Sequence, residues 1–385
     1  MRFFIVIVVL TLFNSYIVLK IVNHFSFLKY QDSITFFIIF TLVAFQSIGL
    51  LLKEPTYLLK KKFKLERLLL LLYQISYIML GVTQCLVFYI LVADVITVIL
   101  YVALPISKTV YIYFNNFSLP IIIIITLITI IIGIIEVIKG PVTQKVEIFI
   151  KNLPINFERF TIVQISDLHV GSTIKYNYVR KVVNIANSLK PNLITLTGDI
   201  IDGKVDSLRN DVAPLAQLSS THGKFFVTGN HEYYSGAEEW IKEFTALGIR
   251  NLSNEHTLIE NNKEQIILAG ITDYFTIKQK LKETSSPSRA IVGAPVGLVK
   301  ILLAHQPASY VEAYKAGFDL QLSGHTHAGQ YFPFTLLIRF FHRYYKGLNN
   351  HRGMWIYINR GTGYWGPPLR VGAPAEITLI TLRIG

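Results

Sequence analysis

The chain has 385 residues, of which 52% are hydrophobic and 16% charged, with mean hydropathy +0.45. A charge share far below the roughly 25% of an ordinary soluble domain excludes a disordered chain, a collagen and a simple water-soluble enzyme. Its one cysteine, Cys85, excludes an internal disulfide and a thiolate zinc site. Net charge is +13, with eleven Lys/Arg against five acidic residues in 1–140 and 26 against 19 after it. Such a balance suits nucleic acid, anionic lipid or an anionic substrate.

Composition changes at Gly140-Pro141. Residues 1–140 read as a transmembrane bundle of about four helices, at 3–22, 33–52, 68–92 and 117–138. A span takes about 20 apolar residues, and a chain in lipid must satisfy its backbone internally. Asp94, Pro105 and Lys108 argue against a full fifth span over 94–113, and four or five stays open. The first run lacks an A-x-A-like cleavage site and further spans follow, so it reads as retained rather than as a signal peptide. Lys53, Lys60, Lys61, Lys62, Lys64 and Arg67 crowd the connection between spans two and three, a positive-inside signal. Four spans then place the C-terminal domain in the cytoplasm, in keeping with Lys139, Lys145 and Lys151, and five would place it outside. Asp94 and Glu136 sit at span ends, and Gln46, Gln74 and Gln84 are slender grounds for a transporter.

Residues 141–385 read as an α/β domain. Apolar runs at 160–165, 193–197, 225–228, 265–269, 299–304 and 319–322 are rich in Val, Ile and Phe and bounded by Gly, Asn, Asp or Pro, which predicts buried strands. Residues 177–189 and 238–247 predict helices, stopping at Pro191 and Gly248.

The polar residues after these strands carry the chemistry. The run 160–165 leads into Asp167 and His169, and 193–197 into Asp199 and Asp202. The run 225–228 leads into Asn230, His231 and Glu232, 299–304 into His305, and 319–322 into His325 and His327. Carboxylates, imidazoles and an amide oxygen suit Mn²⁺, Fe or Zn²⁺. Strand ends on one rim of a sheet converge, which is where α/β folds place their sites. A lone histidine after a strand is usually a structural residue. Five such ends in succession point to a metal site. No Gly-rich phosphate loop indicates ATP-driven transfer.

The order D-x-H, G-D-x-x-D, G-N-H-E, H, G-H-x-H resembles the calcineurin-like metallophosphoesterase family. The run Ser323-Gly324-His325-Thr326-His327-Ala328-Gly329-Gln330 is similar to its membrane-associated bacterial branch, as are Asn359-Arg360-Gly361 and Pro374-Ala375-Glu376-Ile377-Thr378. The resemblance covers about residues 155–385. It implies two mixed β-sheets packed as a sandwich flanked by helices, and two divalent metal ions. Asp167, His169 and His327 would hold one ion, Asn230, His305 and His325 the other, and Asp199 would bridge them. His231 would stand unligated as the catalytic acid, oriented by Asp202. Glu232 and Asp273 also resemble common family residues. The implied activity is hydrolysis of a phosphodiester or pyrophosphate by a hydroxide bridging two metals, and UDP-diacylglucosamine is one substrate of the branch.

The expected partners are membrane lipids and a phosphate-containing, lipid-linked substrate, with no nucleic acid, for a multi-pass protein of a bacterial inner membrane. Residues 331–341 are very apolar for a loop beside a site. Lipid contact, packing on the spans and core filling all remain open for them. Residues 364–370 read as lining the same mouth, with Arg370 a candidate phosphate contact. The competing readings are a binding scaffold without turnover and a transporter with a regulatory domain.

Overall fold

The computed structural model describes residues 2–25, 32–51, 63–103, 107–279, 281 and 283–385. These form two compact units, Met1–Ile135 with Gly366–Val371, and Glu136–Trp365 with Gly372–Gly385.

The first unit contains the helices α1 (Arg2–Phe25), α2 (Asp32–Leu51), α3 (Phe63–Val102) and α4 (Lys108–Lys139), the last of which runs on into the second unit. Among the described residues three helices are long and apolar enough to cross a membrane, at 4–25, 68–102 and 108–139. In α2 the apolar stretch Ser33–Ser47 is shorter. Much of the basic connection, 52–62, lies outside the described residues.

Helix α3 passes through Asp94 and ends at Val102, ten residues beyond the span read at 68–92. The carboxylate is partnered, which is why the helix tolerates it. Asp94 Oδ1 pairs with Lys20 Nζ at 2.6 Å and Oδ2 accepts from the Tyr16 hydroxyl at 2.5 Å. Similarly, Asn14, Gln46 and Thr83 satisfy one another inside the unit. Asn14 Nδ2 donates to Gln46 Oε1 at 3.1 Å and Gln46 Nε2 to Thr83 Oγ1 at 2.7 Å.

The segment Gly366–Val371 packs with these helices. Its Leu369 fills a notch left by two glycines. A Cβ at Gly81 would lie 2.5 Å from Leu369 Cδ1, and one at Gly133 3.0 Å from Cδ2. Arg370, read as a phosphate contact, is buried in this unit and its N–H donates to Gly133 O at 3.1 Å.

The second unit is a sandwich of two mixed six-stranded sheets. One has the order β1-β12-β2-β3-β4-β5 and the other β10-β11-β9-β8-β7-β6. In the first sheet β1 (Val142–Ile150) pairs parallel with β12 (Glu376–Ile384), which pairs antiparallel with β2 (Thr161–Ile165). Strands β3 (Leu193–Thr197), β4 (Lys224–Val227) and β5 (Arg250–Asn251) follow in parallel. In the second, β7 (Glu264–Gly270), β8 (Lys300–Leu303), β9 (Leu320–Ser323) and β11 (Met354–Ile358) are parallel, with β6 (Glu255–Asn261) and β10 (Gly347–His351) antiparallel at the edges.

Alternation along each strand builds the layers. Ile162, Leu193, Phe225 and Val227 of one sheet meet Ile266, Leu268, Ile301 and Leu320 of the other in the central core. The opposite faces are covered by helices. Ile165, Ile194, Leu196 and Phe226 pack under α5 (Tyr176–Ser188), α6 (Val205–Val212) and α8 (Ala237–Ala246), with α7 (Asn230–Ser235) before it. Ile267, Leu302, Ile356 and Ile358 pack under Ala290 and Ala313.

Candidate metal centre

Each candidate ligand stands just past the C-terminal end of a parallel strand. Asp167 and His169 follow β2, Asp199 and Asp202 follow β3, and Asn230 and His231 open α7 after β4. His305 follows β8, and His325 and His327 follow β9. The two sheets place these ends on a common rim. Asp167, His169 and His327 form one group whose ligand atoms lie within 4.8 Å of one another, and Asp199, His305 and His325 form another. A third group, His169, Asp199 and His231, links them.

The backbone is contorted to bring this about. Asp167, His169, Asp199, His325 and His327 all have positive φ, between 49° and 72°. Each such residue costs on the order of 1–3 kcal/mol, which the surrounding structure must supply. Two glycines permit the close approach. A Cβ at Gly324 would sit 2.1 Å from Asp167 Oδ2, and one at Gly229 2.2 Å from Asp199 Oδ1. In return the carboxylates accept backbone bonds. His325 N–H donates to Asp167 Oδ1 at 2.9 Å, and His231 N–H to Asp199 Oδ1 at 2.8 Å.

Hydrogen bonds fix the imidazoles. His305 Nδ1 lies 2.8 Å from the Thr197 carbonyl, which can only accept, so Nδ1 carries the proton. That turns Nε2 towards Asp199 Oδ2 at 3.1 Å and His325 Nδ1 at 3.2 Å. His169 Nδ1 faces Asp202 Oδ1 at 3.1 Å, leaving its Nε2 3.1 Å from His327 Nε2. His327 Nε2 is in turn 3.4 Å from Asp167 Oδ1. Buried Asn230 Oδ1 has no hydrogen-bond partner among the described residues. Ring nitrogens facing one another and an orphaned amide oxygen are what cation ligands present. Buried carboxylates among nitrogen donors, without thiolate, suit a borderline or hard divalent cation. The residues therefore fit a metal pair.

Electrostatics follow the packing. Burial alone would raise Asp167 and Asp199. The His327 ring beside Asp167, and His305 and His231 beside Asp199, outweigh it and hold both below the usual carboxylate range. Burial likewise disfavours a charged His231, but Asp199 and Asp202 hold it up at about 9. Its Nδ1 is bonded to Asp202 Oδ1, and its Nε2 lies 3.9 Å from Asp199 Oδ2.

Asp167, His169, Asp199, His305, His325 and His327 thus gather at one centre, with Asp202 and His231 beside them and Asn230 next to His231 in the chain. The family model for calcineurin-like phosphoesterases matches residues 160–329. An uncharacterized metallophosphoesterase of Campylobacter jejuni is 30% identical over 383 residues, covering 99% of this chain and 97% of that protein. This chain belongs to the calcineurin-like phosphoesterase family. A transmembrane protein with metallophosphoesterase domain of Danio rerio is 34% identical over 268 residues, and an uncharacterized metallophosphoesterase of Helicobacter pylori 35% over 254. The matches take in 68% and 65% of this chain but 61% and 66% of those relatives. The Campylobacter match runs nearly the whole length of this phosphoesterase, apolar helices included.

Other residues build the phosphoesterase centre without approaching it as ligands. Glu232 accepts from the N–H groups of Gly229 at 2.6 Å, Asp199 at 2.9 Å and Ile200 at 2.8 Å, tying the loop after β3 to that after β4. Burial and the neighbouring Asp199 raise its carboxyl to about 7. Burial raises Asp273 to about 6, and its Oδ1 accepts from Gln306 Nε2 at 2.9 Å. Ser166 Oγ donates to Asp167 Oδ2 at 2.6 Å. Gln330 clasps Trp365, donating to its carbonyl at 2.9 Å and accepting its N–H at 2.8 Å, while the indole stands 5.9 Å from the His231 ring. Glu232 and Asp273 drew notice in the sequence as resembling common family residues. Gln330 closes the run Ser323–Gln330 singled out there, but its pairing with Trp365, 35 residues away, is set by the fold.

Proposed function

We propose that the chain is a membrane-anchored, metal-dependent phosphoesterase that cleaves a phosphodiester or pyrophosphate bond. One observation carries the reading: buried Asp167 and Asp199 lie among imidazoles whose ring nitrogens face one another, and the buried Oδ1 of Asn230, next to His231 in the chain, has no hydrogen-bond partner among the described residues. Asp167, His169 and His327 would hold one divalent ion and Asn230, His305 and His325 a second, with Asp199 shared. Bound cations supply Lewis acidity, drawing charge from phosphate oxygens and making water more acidic. Hydrolysis joins a water oxygen to phosphorus, breaks the bond to the departing oxygen and gives that oxygen a proton. His231 holds such a proton at Nε2, and Asp202 keeps the ring oriented and cationic through Nδ1. Trp365 and Tyr234, with ring centroids 5.9 and 5.3 Å from that of His231, limit its rotation.

A lipid-linked substrate is the finer reading, with UDP-diacylglucosamine as one representative. Its support is the helix Phe334–Phe341, which buries no residue and leaves Phe340 and Phe341 74% and 78% exposed. Arg339 and Arg343 flank these rings, and His342 brings its ring within 6.0 Å of His325. An exposed apolar edge with basic residues suits the headgroup level of a bilayer. With four spans the catalytic domain faces the cytoplasm of a bacterial inner membrane, a placement that rests on the charge of the loops alone.

The test is release of p-nitrophenol from bis-p-nitrophenyl phosphate by the purified chain with Mn²⁺. Hydrolysis that chelator abolishes and Mn²⁺ restores supports the reading. Turnover indifferent to chelator and to Asp199→Ala removes it. Incubation with cell lipid extract, read by mass spectrometry, identifies the lipid consumed. Labelling of single cysteines introduced into the second unit decides its side.

A further inference from the structure

The helical unit contains a second chemistry-bearing cluster. Helices α1, α3 and α4 line a half-open cavity of about 300 Å³. Its polar wall includes Lys20, Asn23, His24, Asp94, Asn115 and Ser118, and its apolar wall includes Ile90, Leu119 and Ile122. Asp94 lies eight residues before the end of α3, roughly 12 Å along a helix. The 40 residues of α3 span about 60 Å, and the cluster lies towards the C-terminal end of that helix. Ionisable groups at membrane depth are costly, and they mark binding sites more often than packing.

We propose that this cavity binds a lipid headgroup that joins a phosphodiester to a primary ammonium. Donors for a ligand are at hand there. Lys20 uses one of its three N–H groups on Asp94, and the side chains of Asn23, Asn115 and Ser118 line the same cavity with further N–H and O–H groups. Phosphate oxygens are the acceptors that satisfy several such donors at once. Each oxygen of Asp94 accepts one bond, from Lys20 or from Tyr16, and so keeps a lone pair for an incoming ammonium. Lys20 and Asp94 cancel in charge. A zwitterion gives each of them an opposite partner, whereas a simple anion is repelled by the carboxylate. The apolar wall suits the glycerol and the start of the acyl chains. A quaternary ammonium cannot donate to Asp94, so ethanolamine is favoured over choline.

Native mass spectrometry of the full chain in detergent tests this. Phosphatidylethanolamine, phosphatidylcholine and phosphatidylglycerol are offered at equal concentration, with soluble phosphoethanolamine and inorganic phosphate as separate arms. We expect phosphatidylethanolamine adducts at least about tenfold above the other lipids, equivalent to about 1.4 kcal/mol. Asp94→Asn should remove that preference without changing hydrolysis of a soluble ester. Equal retention of the three lipids, or an unchanged preference in Asp94→Asn, overturns the proposal. Tight binding of phosphoethanolamine alone overturns the lipid source. Where Asp94→Asn does not fold, Asn115→Leu keeps the Lys20–Asp94 pair, and an undiminished preference there is equally fatal.

Discussion

Asp202 and His231 are joined through a single carboxylate oxygen, Oδ1, which also faces His169 Nδ1 at 3.1 Å. One carboxylate therefore orients both a candidate ligand and the candidate acid. Its own proton affinity is low because those two rings outweigh its burial.

Replacing Asp202 by Asn should act on the pH profile as well as on rate. His231 donates only while protonated, so turnover falls as pH rises through its pKa. That pKa is held up by Asp199 and Asp202. Removing one of them moves the alkaline fall to lower pH. His231→Ala should cost roughly 10²–10⁴-fold in kcat and lose that limb. Steady-state kinetics on a soluble ester, over a pH range that brackets about 9, check both outcomes.

Asn230→Ala removes the oxygen that has no partner among the described residues. A structural asparagine would leave metal content unchanged. Here metal per chain, measured by inductively coupled plasma mass spectrometry, should fall. Activity should drop by more than the roughly 10–100-fold typical of groups that only support a ligand.

Gly324→Ala places a Cβ 2.0 Å from Ser166 Oγ and 2.1 Å from Asp167 Oδ2. Asp167 must shift, and metal binding and turnover should be lost together. The cores between and outside the sheets are untouched, so circular dichroism should remain that of the parent.

Glu232→Gln keeps the shape but turns an NH₂ towards backbone N–H groups that now donate to a carboxylate. An unsatisfied buried donor costs about 1–3 kcal/mol. The thermal midpoint of the catalytic unit should fall by several degrees, at about 2–4 °C per kcal/mol. Circular dichroism melts check this.

Phe340→Ser with Phe341→Ser removes two rings that are largely exposed and bury nothing. Hydrolysis of bis-p-nitrophenyl phosphate should be unchanged, while hydrolysis of a vesicle-borne phospholipid ester should fall. Equal losses on both substrates would argue against an interfacial role.

The sequence alone was enough to indicate the apolar helices, the chemistry of the site and most of the central strands. Those features rest on short-range patterns: length in lipid, alternation along a strand, and ligand-type residues after each strand. Strand β1 was not legible, because its faces alternate only at the end, and its partner β12 lies more than two hundred residues on. Asn359 and Glu376 stood out as motifs, but only the fold explains them. Asn359 Nδ2 donates to Thr378 Oγ1 at 2.9 Å, and Glu376 is ion-paired with Arg360. The continuation of α3 past Asp94 depended on Lys20 and Tyr16 of another helix, and the seating of Leu369, next to Arg370, on a notch made by two distant glycines. Protonated nitrogens, left-handed backbone and orphaned oxygens are set by neighbours far away in the chain, so tertiary structure alone decided them.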